Sequence, residues 1–161
     1  PAMEEVADGL EAAMPEQVGS GIVHGDYRLG NMMVGGDARV AAVLDWELCT
    51  LGDPLADVGY LGVYWNDGDA TTARANDPTP AGGFATYAEL LERYAARTGR
   101  DLSGIDYYVA FSCWRLAVIS EGVYARYLHG AMGDQEIDLE PLKLGTEGLA
   151  ERALAAVRRM V

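Results

Sequence analysis

Apolar residues recur at helical spacing through residues 3–18, where Met3, Val6, Leu10, Ala13 and Met14 share one face; Gly19-Ser20-Gly21 ends this helix. Ile22-Val23 reads as a short strand, His24 to Asn31 as a polar loop, and Met32-Met33-Val34 as a second strand. Gly35-Gly36-Asp37 is a turn, and Arg39 to Leu44, rich in Val and Ala, is a third strand that pairs with the second as a hairpin. Asp53-Pro54 is a helix start, with Asp as cap and Pro in the first helical position, and the helix runs to about Trp65. Residues 66–83 carry Asn, Asp, Gly, Thr and Pro and predict a long surface loop. Phe84, Tyr87, Ala88, Leu91, Tyr94 and Ala95 mark an amphipathic helix stopped by Gly99.

Residues 104–129 are hydrophobic nearly all round, which predicts the central helix of a helical domain. Its polar stripe is Ser112, Arg115, Gly122 and Arg126, interrupted by Ile119. Leu149, Ala153, Val157 and Met160 mark a last helix. There is no internal repeat. The pattern predicts one mostly helical domain of α+β class over 1–161, with a small β element placed early around the polar loop.

Composition narrows the function classes. Half of the 161 residues are hydrophobic, enough for one domain with a real core. No apolar run reaches the ~18 residues of a membrane span, and no secretory leader precedes the first helix, so a cytoplasmic protein without a membrane partner is expected. The net charge of −13 repels phosphate backbones and argues against nucleic acid as a partner. Cys49 and Cys113 form no CxxC pair and read as reduced core thiols.

The chemistry concentrates in GIVHGDYRLGNMMVGGDARVAAVLDWELCTLGDPLAD, residues 21–57. The loop holds His24, Asp26, Arg28 and Asn31, and Asp45 ends the strand that follows the turn. Two carboxylates and an amide oxygen brought together by a hairpin make an oxygen-rich site of the kind Mg²⁺ takes, together with substrate phosphates. Phosphoryl transfer needs a carboxylate for the attacking hydroxyl, a metal for the phosphate oxygens and a nearby cation. A metal-dependent hydrolase using His24, Asp26 and Asp45 is the weaker fit, because such sites draw on more His than the two this chain has.

HGDYRLGN resembles the H-x-D-x-x-x-x-N catalytic loop of the kinase superfamily. LDWE resembles the segment that replaces the metal-binding DFG of protein kinases, and GDPLAD the segment that follows it in aminoglycoside and choline kinase-like enzymes. The run HGDYRLGNMMV…VAAVLDWELCTLGDPLADVGYL resembles in particular the phosphotransferase domain that some proteins carry fused to an acyl-CoA dehydrogenase. The match covers about residues 21–65, with four elements in order. The resemblance implies the C-terminal lobe of a protein kinase-like fold, with a small hairpin beside the catalytic loop and with Mg²⁺ and ATP as cofactors. By the same resemblance Asp26 is the catalytic base, Asn31 and Asp45 bind Mg²⁺ and the nucleotide phosphates, and Arg28 meets the transferred phosphate. His24 braces the loop, Asp57 steadies it from the following helix, and Asp53 only caps. Trp46 reads as a core aromatic.

The implied partner is a small molecule offering a hydroxyl, with hydroxyacyl-CoA, aminoglycoside, choline-like amine and sugar all open. No Gly-rich phosphate loop and no strand Lys with a helix Glu partner precede His24. An N-terminal ATP lobe is therefore expected to be absent from this piece, which alone should have little kinase activity and should expose an inter-lobe surface that invites homodimerisation. A pseudokinase-like, non-catalytic binding module is the alternative.

Overall fold

A computed structural model describes residues 2–67, 78–133 and 137–160; of the loop expected over 66–83, residues 68–77 lie outside these. Five helices and four short strands follow in the order α1 Ala2–Ala12, β1 Gly21–Val23, β2 Met32–Val34, β3 Val40–Val43, β4 Thr50–Gly52, α2 Leu55–Val63, α3 Tyr87–Thr98, α4 Ile105–Leu128 and α5 Glu140–Met160. The mostly helical α+β class stands.

α1 ends at Ala12 rather than at the glycines near 20. Pro15 explains the early stop, since the residue before a proline is pushed out of helical geometry. β2 and β3 form the expected antiparallel hairpin, with Met32 opposite Val43 and Met33 opposite Ala42, and an irregularity before Val34. A second two-stranded sheet was not foreseen: β4 pairs antiparallel with β1, Gly21 facing Gly52 and Val23 facing Thr50. Its three residues are too short a run to carry a strand signal of their own. α3 begins at Tyr87, so Phe84 precedes it. Thr86 and Glu89 form a reciprocal capping box at its start, and Gly99, at φ 67°, closes it as expected.

The described residues pack as two compact units. Pro1–Met14 and Val109–Val161 form one, with Val6 and Leu10 of α1, Ala110, Cys113, Leu116 and Ala117 of α4, and Leu149, Ala153, Ala156 and Val157 of α5 buried. α1 and α5 approach so closely at Gly9 that any side chain there would collide with Val157. Ser112, expected on a polar stripe, is only 2% exposed, whereas Val118 and Ile119 are about half exposed. The apolar surface of α4 is thus covered in its first half and open further along.

Pro15–Tyr108 is the second unit and holds the loop from His24 to Asn31. Its core is Val23, Leu55, Val58, Tyr60, Leu61, Val63 and Tyr108. α2 is the pivot, with seven of its nine residues buried. Gly59 lies against the Tyr108 backbone and Gly62 against the Tyr87 ring, so two glycines let two neighbouring segments close in. Asp53 stands one residue outside the formal cap, Pro54. It does more than start a helix: one carboxylate oxygen accepts from Leu55 N at 2.9 Å and the other from Val18 N at 2.8 Å, all but buried.

Two expectations of burial fail. Cys49 is exposed, although Cys113 is buried as expected. Trp46 is 47% exposed. Both lie around the turn Trp46–Leu48 between β3 and β4. On this small β element Ile22, Met33, Val34, Val40, Leu44, Leu48 and Leu51 are likewise exposed. Two-stranded sheets have too little backbone to bury both faces.

Candidate active site

The loop after β1 turns sharply at Gly25, whose φ is +83° and where a Cβ would stand 2.7 Å from the Leu48 carbonyl oxygen. Only glycine meets both demands. The turn is clamped from α2: Asp57 accepts from His24 N at 2.6 Å through one oxygen and from Gly25 N at 2.9 Å through the other. A carboxylate near the start of a helix, holding two buried amides of another segment, joins loop and helix rigidly.

His24 is 1% exposed. Its Nδ1 accepts from Asp26 N at 3.2 Å, and its Nε2 lies 2.8 Å from Leu44 O. A backbone amide can only donate and a carbonyl only accept, so Nε2 carries the hydrogen. With both nitrogens engaged and its ring 4.6 Å from that of Trp46, the imidazole braces the loop.

Asp26 is held on both sides. Its Oδ1 accepts from the Tyr60 hydroxyl at 2.6 Å; its Oδ2 accepts from Asn31 Nδ2 at 2.7 Å and from Arg28 Nε at 3.3 Å. Burial raises the carboxyl's pKa, but the hydrogen bonds from Tyr60 and Asn31 and the Arg28 charge outweigh it, so the net shift is downward. Asp26 is therefore ionised at neutral pH, with a fixed rotamer and one lone pair left on Oδ1. The Arg28 guanidinium stands 5.7 Å from the Tyr64 ring centre, and the Tyr64 and Tyr60 hydroxyls are 3.3 Å apart.

Asn31 is buried, and its Nδ2 also donates to Asp26 O at 2.8 Å. With the amide nitrogen turned to Asp26, its Oδ1 faces the other way. Leu44 N donates to Asn31 O at 2.8 Å, so Leu44 is tied to both His24 and Asn31. Asp45 follows at once, with left-handed backbone (φ 69°). Such a conformation is uncommon outside glycine and collects at functional sites. Its carboxylate has no hydrogen-bond partner among the described residues.

Asp26, Arg28 and Asn31 are thus in direct side-chain contact, His24 supports Asp26 through its backbone, and Asp45 is joined to the group only through backbone. No three His, Cys, Asp or Glu side chains converge as a ready-made metal cluster among the described residues. One amide oxygen and one unpartnered carboxylate still suit Mg²⁺, which keeps several waters and is usually bound by one or two carboxylates plus phosphates.

The residue that sequence reasoning missed is Tyr60. It is 5% exposed, and its pKa is raised, chiefly by burial and then by its bond to Asp26. A signal was present: Tyr60 comes three residues after Asp57 on a helix, one turn along toward the same loop.

Comparison with known proteins identifies relatives of the chain. The model of a family described as APH, phosphotransferase enzyme family, matches residues 1–102. Acyl-CoA dehydrogenase family member 10 of Mus musculus is 40% identical over 136 residues, covering 81% of this chain and 13% of that protein. Acyl-CoA dehydrogenase family member 11 of Rattus norvegicus is 33% identical over 165 residues, 99% of this chain and 21% of that protein. A Ralstonia eutropha protein assigned as an aminoglycoside phosphotransferase superposes with TM-score 0.78 at 34% identity, over 99% of this chain and 49% of its own. The chain therefore spans about a fifth or less of these curated relatives and about half of the solved structure. Among the described residues no helix is long and apolar enough to cross a membrane.

Proposed function

The chain belongs to the phosphotransferase enzyme family, and from that premise we propose that it is the C-terminal, catalytic lobe of a kinase that moves the γ-phosphate of ATP to a hydroxyl of a small molecule. The observation that carries this reading is the contact of Asp26 with Asn31, Arg28 and Tyr60 on a loop clamped by Asp57. An ionised, fixed carboxylate with a spare lone pair orients the acceptor hydroxyl and takes its proton as the bond to phosphorus forms. Arg28, within reach of the same carboxylate, sets a cation where charge develops on the phosphoryl oxygens. Asn31 and Asp45 would hold Mg²⁺, which when bound neutralises the nucleotide phosphates. Tyr60 keeps Asp26 in its rotamer.

The 161 residues contain no Gly-rich phosphate loop and no strand Lys to hold the nucleotide from above. By themselves they turn over slowly or not at all. The test is phosphate transfer from Mg-ATP by the chain together with any upstream coding sequence, offered aminoglycosides, choline-like amines, sugars and hydroxyacyl-CoAs. Product that disappears in Asp26→Asn is the expected result. No product on any acceptor, with Mg-ATP binding also absent, would replace this reading by that of a non-catalytic binding module.

A further inference from the structure

A cleft of about 460 Å³ opens between α2 and α3, within the range of small-molecule sites. Pro54, Val58 and Leu61 supply one wall from one stripe of α2. Leu90, Arg93, Tyr94 and Arg97 supply the other, spaced i, i+3, i+4 and i+7 along α3. Asp26, Arg28, Asn31, Tyr60 and Tyr64 are not part of its lining, so it is separate from the phosphotransfer cluster.

Two features single it out. None of the residues of α3 is buried, although the helix is strongly amphipathic. Leu90 and Tyr94 face the cleft in place of a packed core. Secondly, Arg93 and Arg97 stand one turn apart, and among the described residues neither has an ion pair or hydrogen bond. Glu89, one turn before Arg93, is committed to the capping box with Thr86 and feels Arg93 only at a distance. Two like charges at this spacing repel. The carboxylate in the lining, Asp57, has both oxygens engaged by His24 N and Gly25 N. On a chain of net charge −13 these two arginines, neither of them ion-paired among the described residues, set two positive charges on the rim above apolar walls, against the single carboxylate of Asp57 in the lining.

We propose that this cleft binds an amphipathic anion: a hydrocarbon chain seated on Val58, Leu61, Leu90 and Tyr94, with a carboxylate or phosphate head between Arg93 and Arg97. Arginine offers a planar fork matched to such heads. The ligand would touch Asp57 and Tyr27, so it lies against the back of the catalytic loop. The inference rests on the cleft alone and holds whether or not the chain transfers phosphate.

The experiment is calorimetric titration of the 161-residue chain, without nucleotide, with decyl phosphate and decanoate below their micelle concentrations. Inorganic phosphate and decyltrimethylammonium serve as controls. Saturable binding of both anions is expected, weakened roughly tenfold or more in Arg93→Gln/Arg97→Gln through loss of charge-assisted hydrogen bonds. Leu90→Trp, on α3 where no residue is buried, should block the chain and leave the circular dichroism spectrum unchanged. No binding of either anion, equal binding of the cationic amphiphile, phosphate binding as tight as decyl phosphate, or full affinity in the double variant would each overturn the assignment.

Discussion

Replacing Asp57 by Ala removes two short hydrogen bonds at once, to His24 N at 2.6 Å and to Gly25 N at 2.9 Å. Both acceptors sit on an ionised group, and hydrogen bonds to charged groups contribute about 1.5–3 kcal/mol each. His24 and Gly25 are buried, so water replaces the lost carboxylate poorly. The expected loss is therefore about 3 kcal/mol or somewhat more. For a chain of this size that lowers the midpoint of thermal unfolding by roughly 6–12 °C. Asp57→Asn keeps one acceptor and should lose about half as much. The assay is urea unfolding of the three proteins, paired with hydrogen exchange at the amides of residues 24 and 25. Those amides should lose protection in Asp57→Ala before the rest of the unit does. A loss below about 1 kcal/mol, with exchange at both amides unchanged, would refute the clamp.

Two further outcomes follow from packing and ionisation. Gly59→Ala puts a Cβ 2.6 Å from the Tyr108 backbone, which cannot yield as a side-chain tip does; it should destabilise by about 1–3 kcal/mol. Gly122→Ala, on an open face of α4, should be neutral or stabilising by up to about 1 kcal/mol, and equal midpoints for the two variants would sink the argument. Tyr60 and Tyr108 both have raised pKa values, chiefly from burial, Tyr108 pushed up to about 12. The unfolded phenols ionise near 10, so this part of the stability is whole below about pH 10 and lost above it as the unfolded chain sheds protons the folded one keeps. Urea midpoints should fall between about pH 10 and 12, less steeply in Tyr60→Phe; a midpoint flat across that range would contradict it.

The helices were legible because their apolar spacing and their stops were both local. Gly99 closed α3 as its position indicated, and 104–129 matched α4 within a residue at each end. The end of α1 was misjudged because the glycines near 20 were weighed above Pro15. β4 could not be read at all: Thr50-Leu51-Gly52 is a strand only because β1 lies beside it. In the site, the residue types of the loop pointed to Asp26, Arg28 and Asn31, which do meet. Tyr60 escaped because a buried tyrosine in an apolar helix looks like packing until its hydroxyl is seen to have a partner. Trp46 and Cys49 were placed inside by residue type, a tendency that a thin two-stranded sheet cannot satisfy.

α2 has a consequence for how such a fold can change its ligand. Within nine residues it anchors the loop through Asp57, fixes Asp26 through Tyr60, and admits its neighbours at Gly59 and Gly62. Hardly a position is left that can vary without disturbing the loop or the fold. Diversification should therefore be concentrated in the segments facing this helix. α3, with no residue buried, is free beyond Tyr87, whose ring packs on Gly62, to trade side chains at little cost in stability. An immovable helix beside an adaptable one lets selection explore new ligands while the Asp26 loop stays fixed.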